Sequence, residues 1–157
     1  MFDEYYAPLP DLGAYLARIG LAGLEPRQDL ETLTRVMEAH VQAVPFENLD
    51  ACLGHRAPDL TVAGLFDKVV TRRRGGWCHE LNVLLLPLLR ALGFDCYPIA
   101  GRISISADAV TPLGHRAVLC TLGGERYYCD VGFGDMAVRG PVALSGAETR
   151  HGFSVKK

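Results

Sequence analysis

The sequence contains no Cys-x-x-Cys pair, which argues against a zinc ribbon and against a thioredoxin-type redox site. Its cysteines, Cys52, Cys78, Cys96, Cys120 and Cys129, are odd in number and widely spaced, the pattern of free thiols in a reducing compartment. No apolar run is long enough for a membrane span. There is no excess of positive charge either. The formal net charge is -2 and the pI is near 6.2, so a general nucleic-acid surface is not expected. The first residues carry an acidic pair, Asp3-Glu4, where a secretory leader would be basic, and no apolar core follows. A cytoplasmic protein with no metal, no membrane partner and no nucleic-acid partner is the expectation. Internal repeats and low-complexity tracts are also missing. What is present, 157 residues with 49% hydrophobic and 22% charged, suits one globular domain or two small ones.

The first half reads as helices. Asp11 to Ile19 places Leu12, Tyr15, Leu16 and Ile19 at i, i+3, i+4 and i+7, with Gly20 as a stop. Asp29 is an N-cap for a second helix carrying Leu30, Leu33, Met37, Val41 and Val44 on one face, ended by Pro45. Pro45 to Asp50 has two readings. It is either a terminator whose Glu47 and Asn48 satisfy nearby backbone groups, or a pocket wall that presents Phe46. Residues 51–58 read as a loop, and Thr61 caps a third helix bearing Val62, Leu65, Phe66 and Val69. A fourth helix runs from Cys78 to Leu92, is apolar nearly all round despite Pro87, and is therefore central and buried.

The start of that helix is the most informative stretch. Arg72-Arg73-Arg74 and Gly75-Gly76 lead into Trp77-Cys78-His79-Glu80. A thiol in the first turn of a helix meets unpaired N–H groups and a partial positive charge, which favour the thiolate. The plain alternative is a buried packing cysteine; Cys120 and Cys129, in strand-like segments, read as core or surface filler. His79 points elsewhere on the helix and is a pocket residue rather than a base. His40, His55 and His151 read as solvated.

The period changes near residue 94. Residues 95–106 are strand-like, with the clearest alternation at 102–106. His115 to Leu122 and Glu125 to Val131 flank Gly123-Gly124, a two-residue hairpin signal. In such a hairpin cross-strand partners sum to 247, so His115 and Asp130 share a face as diagonal neighbours. A paired imidazole and carboxylate is what a nucleophilic cysteine needs: the imidazole takes the thiol proton, and the carboxylate fixes its tautomer. The expected class is α+β, with residues 1–94 a helical domain carrying Cys78 and residues 95–157 a β domain carrying His115 and Asp130.

Six segments now stand in one order: Pro-Phe-Glu-Asn-Leu at 45–49, Arg-Gly-Gly-Trp-Cys-x-Glu-x-Asn at 74–82, Leu-Arg-x-Leu-Gly-Phe at 89–94, Gly-Arg at 101–102, Pro-x-x-His at 112–115 and Asp-Val-Gly-Phe-Gly at 130–134. Together they resemble the arylamine N-acetyltransferases. The resemblance implies a cysteine-protease-like core with a Cys78, His115, Asp130 triad. It implies ping-pong transfer from acetyl-CoA through a Cys78 thioester to an arylamine, hydrazine or arylhydroxylamine. Phe46, His79 and Phe133 would line the acceptor pocket, and Gly114, Gly132 and Gly134 would meet the CoA arm. The implied fold is a helical domain, a β-barrel-like domain and a third α/β domain. His79 and Gly114 depart from the family's usual aromatic and hydroxyl residues, and Pro87 is atypical of its central helix. The chain ends where the third domain would begin, so weak acetyl-CoA binding, exposed apolar surface and association of copies are expected. A core with an assembled triad and little activity, and a transglutaminase-like cysteine hydrolase or transferase, are the other readings.

Overall fold

Helix starts in this chain are set by side-chain oxygens. In the computed structural model, which describes residues 3–54, 57–104, 110–134 and 138–146, Asp11, Asp29 and Thr61 each accept a hydrogen bond from a backbone N–H three residues on. Each therefore satisfies one of the orphan donors of a first turn. The helices that follow are α1 (Leu12–Arg18), α2 (Leu30–Ala43) and α4 (Val62–Phe66), the last widening into a π-type coil over Asp67–Thr71. A further helix, α3 (Leu49–Gly54), occupies residues expected to be loop. Glu47 starts it by accepting from the Leu49 N–H. Six residues are too few to show a helical period.

The central helix α5 (Cys78–Ala91) contains Pro87 and has Leu81, Leu84, Leu85, Leu88 and Leu89 fully buried. Burying one such side chain is worth roughly 1.5–3 kcal/mol, so this helix is the main source of core stability. It packs on α1 and α4 on one side and on two strands on the other. The strands are β1 (Asp95–Gly101), β2 (His115–Leu122), β3 (Glu125–Cys129) and β4 (Val142–Ala143). They form an antiparallel sheet in the order β1-β2-β3-β4. The β2–β3 register runs from Leu122↔Glu125 to Val118↔Cys129, the 247 sum expected of the hairpin. Gly123 and Gly124 both have positive φ, 59° and 84°, as a two-residue turn of matching twist requires.

Further expectations are corrected. The sheet is open among the described residues rather than barrel-like, because β4 is two residues long and pairs only with β3, and closure needs a continuous ladder. Strand β1 stops at Gly101; residues 102–104 are not strand, and 105 and 106 lie outside the described residues. Strand β3 stops before Asp130 because the next backbone donors are taken by side chains: Val131 N–H by Asn82 and Gly132 N–H by Asp130. His40 is not solvated but fully buried, bonded through Nε2 to the Tyr15 phenol at 2.8 Å. It belongs to the buried stripe of α2 with Leu33, Val36 and Met37, whereas Leu30 is exposed. His55 and His151 lie outside the described residues.

Candidate active site

Cys78 is the first residue of α5 and is buried. Its neighbour Trp77 offers no cap oxygen, so Glu80 reaches back and accepts from the Trp77 N–H at 3.1 Å. The other oxygen of Glu80 meets Lys68 at 2.7 Å, and Lys68 also meets Asp50 at 2.7 Å. Burial alone would pull the Lys68 pKa down; the hydrogen bonds it donates to Asp50 and Glu80 outweigh it and hold the ammonium charged. Arg74 bonds Glu47 and Asp50, and Arg72 pairs with Asp67. Two arginines of the run are thus matched by carboxylates. Arg18, buried in α1, bonds the carbonyls of Val69, Ala43, Arg73 and Arg74 and pins the turn that delivers Cys78. Phe46 bridges Gly76 as a short parallel pair, and its ring lies against Gly134. Glu47 serves the backbone by accepting from the Leu49 N–H, and Phe46 is half-exposed.

The strands bring the imidazole. His115 Nε2 is 2.6 Å from Asp130 Oδ2, a direct contact where diagonal proximity was expected. Asp130 is almost fully buried and accepts three more hydrogen bonds, from Asn82 Nδ2 at 2.7 Å, Tyr128 Oη at 2.7 Å and Gly132 N at 2.8 Å. Burial works to raise its pKa, but His115 and then Asn82, Gly132 and Tyr128 outweigh it and keep the carboxyl ionised below its usual range. For His115 burial pulls its pKa down, but the hydrogen bond to Asp130 and the nearby Cys78 sulfur outweigh it and raise its pKa to about 9. Phe133 packs edge-on against the imidazole, with ring centroids 4.9 Å apart.

The remaining expected residues fall as follows. His79 does not point away: its Nδ1 is 3.3 Å from Cys78 Sγ, and its ring tilts against Trp77. A long side chain in the first turn can fold back over its neighbour. Burial, then the charges of Arg116 and His115, lower its pKa, so it stays a neutral imidazole. Gly114 offers its carbonyl to the thiol at 3.9 Å. At Gly132 a Cβ would come within 2.7 Å of the Cys78 Cα, so the bare backbone is what lets 130–132 close on the start of α5. On the same side as His115 lies a cavity of about 330 Å³, lined by Ile99, Arg102, Ile103, His115, Tyr128 and Phe133 among others. It is apolar in the main, with an aromatic wall beside the imidazole.

The profile of the N-acetyltransferase family matches residues 29–153. The arylamine N-acetyltransferase of Mycolicibacterium smegmatis is 44% identical over 149 residues, covering 90% of this chain and 54% of that one. Human arylamine N-acetyltransferase 1 is 40% identical over 126 residues, covering 79% of this chain and 43% of that one. The solved Mycobacterium marinum arylamine N-acetyltransferase superposes with a TM-score of 0.82 at 37% identity, over 90% of this chain and 54% of that one. The chain belongs to the arylamine N-acetyltransferase family. It spans about half the length of these relatives. Within that family fold, two site residues escaped the sequence reading as individuals. Asn82 is one helical turn after Cys78, and Tyr128 precedes Asp130 by two on a strand. The spacings i+4 and i+2 were the available signals.

Proposed function

We propose that this chain is an acetyltransferase core that moves an acetyl group from acetyl-CoA to an arylamine, hydrazine or arylhydroxylamine. The observation that carries it is a buried thiol at a helix start, coupled to an imidazole whose Nε2 is held by an ionised carboxylate. In this reading Cys78 is the nucleophile, His115 the base and Asp130 the group that orients it. His115 takes the thiol proton, and Cys78 Sγ bonds the acetyl carbon. The C–S bond to CoA breaks, and CoA leaves as a thiol with the proton from His115. In the second half the amine nitrogen attacks the thioester, its proton passes to His115, and the Cys78 sulfur leaves. The cavity beside His115 and Phe133 suits a flat apolar acceptor, with Phe46 and His79 nearby. The backbone at Gly114 and Gly132 borders Cys78 and, with Gly134, would approach the donor. The free thiols of the described residues fit a cytoplasmic setting, and a role in xenobiotic metabolism goes with the acceptor class.

Intact-mass measurement tests this. Incubation with acetyl-CoA should add one acetyl group at Cys78, and an arylamine should discharge it. Labelling by p-nitrophenyl acetate but not by acetyl-CoA would mean a live thiol without a donor site. No adduct from either reagent would sink the proposed triad.

A further inference from the structure

Oxygen Oδ2 of Asp130 is shared. It accepts from His115 Nε2 at 2.6 Å and from Tyr128 Oη at 2.7 Å, while Oδ1 is held by Asn82 and Gly132. A carboxylate oxygen with two donors divides its charge between them, so each donor feels less of it. We propose that Tyr128 is a positioning residue of the site: its phenol fixes the Asp130 carboxylate against His115 and, by taking a share of Oδ2, sets how firmly His115 holds its proton.

Three further observations agree. Tyr128 and Asp130 are two apart along the strand direction, so their side chains leave on one face. The Tyr128 ring is half-buried and lines the same cavity as His115 and Phe133. Burial, and then Asp130, raise the pKa of the phenol itself, so it remains a donor throughout the working pH range. The consequence is chemical. A base that must accept a proton and then give it up again in the course of each turnover works best when its pKa is near the operating pH. An imidazole held by an undivided carboxylate would keep its proton too long. Tyr128 moderates that grip.

The other titratable or charged groups around His115 are Cys78 and His79 from α5, Arg116 from β2, Arg102 across the cavity and Cys129 beside Tyr128. A Tyr128→Phe change leaves all of them in place and keeps the ring. The inference rests on His115 as the base of the proposed reaction, but its test needs no turnover. In a Cys78→Ser background, ¹⁵N NMR follows the His115 imidazole through its titration. Tyr128→Phe should raise the midpoint by about one pH unit, a tenfold tighter hold on the proton, since a hydrogen bond to a charged group is of that order. If Tyr128→Phe does not fold, 3-fluorotyrosine at 128 keeps the shape and makes the phenol a stronger donor, and it should lower the midpoint. A midpoint that stays put, or moves the opposite way, overturns the inference. Acetyl transfer failing while the midpoint moves would sink the proposed reaction and leave the role of Tyr128 standing.

Discussion

His40 and His115 are both shut away from water, 0% and 6% exposed, and each has a tyrosine close by. Burial pushes the His40 pKa down to about 3, with the charge of Arg18 adding to it. The His115 pKa stands at about 9. The difference lies in the partner. His40 meets the Tyr15 phenol, which brings no charge, and its Nδ1 has no partner among the described residues. His115 meets Asp130, and the tyrosine there serves the carboxylate rather than the imidazole. A buried histidine is therefore inert or basic according to whether an ionised carboxylate is fixed beside it. The helical half holds the inert one, and the site holds the other.

The comparison breaks most sharply at Asp130. With Asp130→Asn the amide would donate to His115 Nε2 and enforce the other tautomer, leaving a partner as uncharged as Tyr15. The acylation rate of Cys78 by p-nitrophenyl acetate should fall by about 10³–10⁴-fold. Stopped-flow release of nitrophenol across pH is the measurement. An unchanged rate would mean that the carboxylate does not control this imidazole.

Lys68 extends the same rule to a buried cation. It is 4% exposed and stays charged because Asp50 and Glu80 face it. Removing the buried carboxylate by Glu80→Ala strips that charge of one partner and uncaps Trp77 N. The expected cost is about 3 kcal/mol in urea unfolding. The double change Lys68→Met with Glu80→Met should recover much of it, because a dry pair without charge needs no compensation. Additive losses would show that the ion pair is not what stabilises this end of α5.

The local parts of this fold were legible. Caps at Asp11, Asp29 and Thr61 and the 247 register of the hairpin follow rules that span a few residues, and that register, continued past the end of β3, puts His115 and Asp130 on one face. Residues whose role depends on distant chain were not. No local rule links Lys68 to Glu80 or Arg18 to the carbonyls of the arginine turn. The open edge of the sheet depends on how short β4 is. His40 escaped for another reason: it stands seven after Leu33 and three after Met37, on the buried stripe of α2, but a polar side chain does not register in an apolar period. The only local signal of Tyr128 is that it stands two residues before Asp130.

His40 gives the smallest effect and the finest test. Its folded pKa, about 3, lies below the value of about 6.5 for an unfolded chain. The unfolded chain therefore takes up the proton first as pH falls. Above pH 6.5 this group costs the fold nothing, and below it stability drains away until the folded pKa is reached. Between pH 7 and pH 5 the loss attributable to His40 is about 2 kcal/mol. His115 works with the opposite sign: its raised pKa stabilises the fold below about 6.5, and that contribution disappears as pH rises toward 9. Urea midpoints from pH 5 to pH 8 should show the acid-side slope shrink in His40→Gln, which keeps a polar group for Tyr15 without a titrating one, while the alkaline side is unchanged. Equal acid slopes in the two proteins would mean that His40 takes up its proton without leaving the core, and the contrast with His115 would then rest on something other than the absent carboxylate.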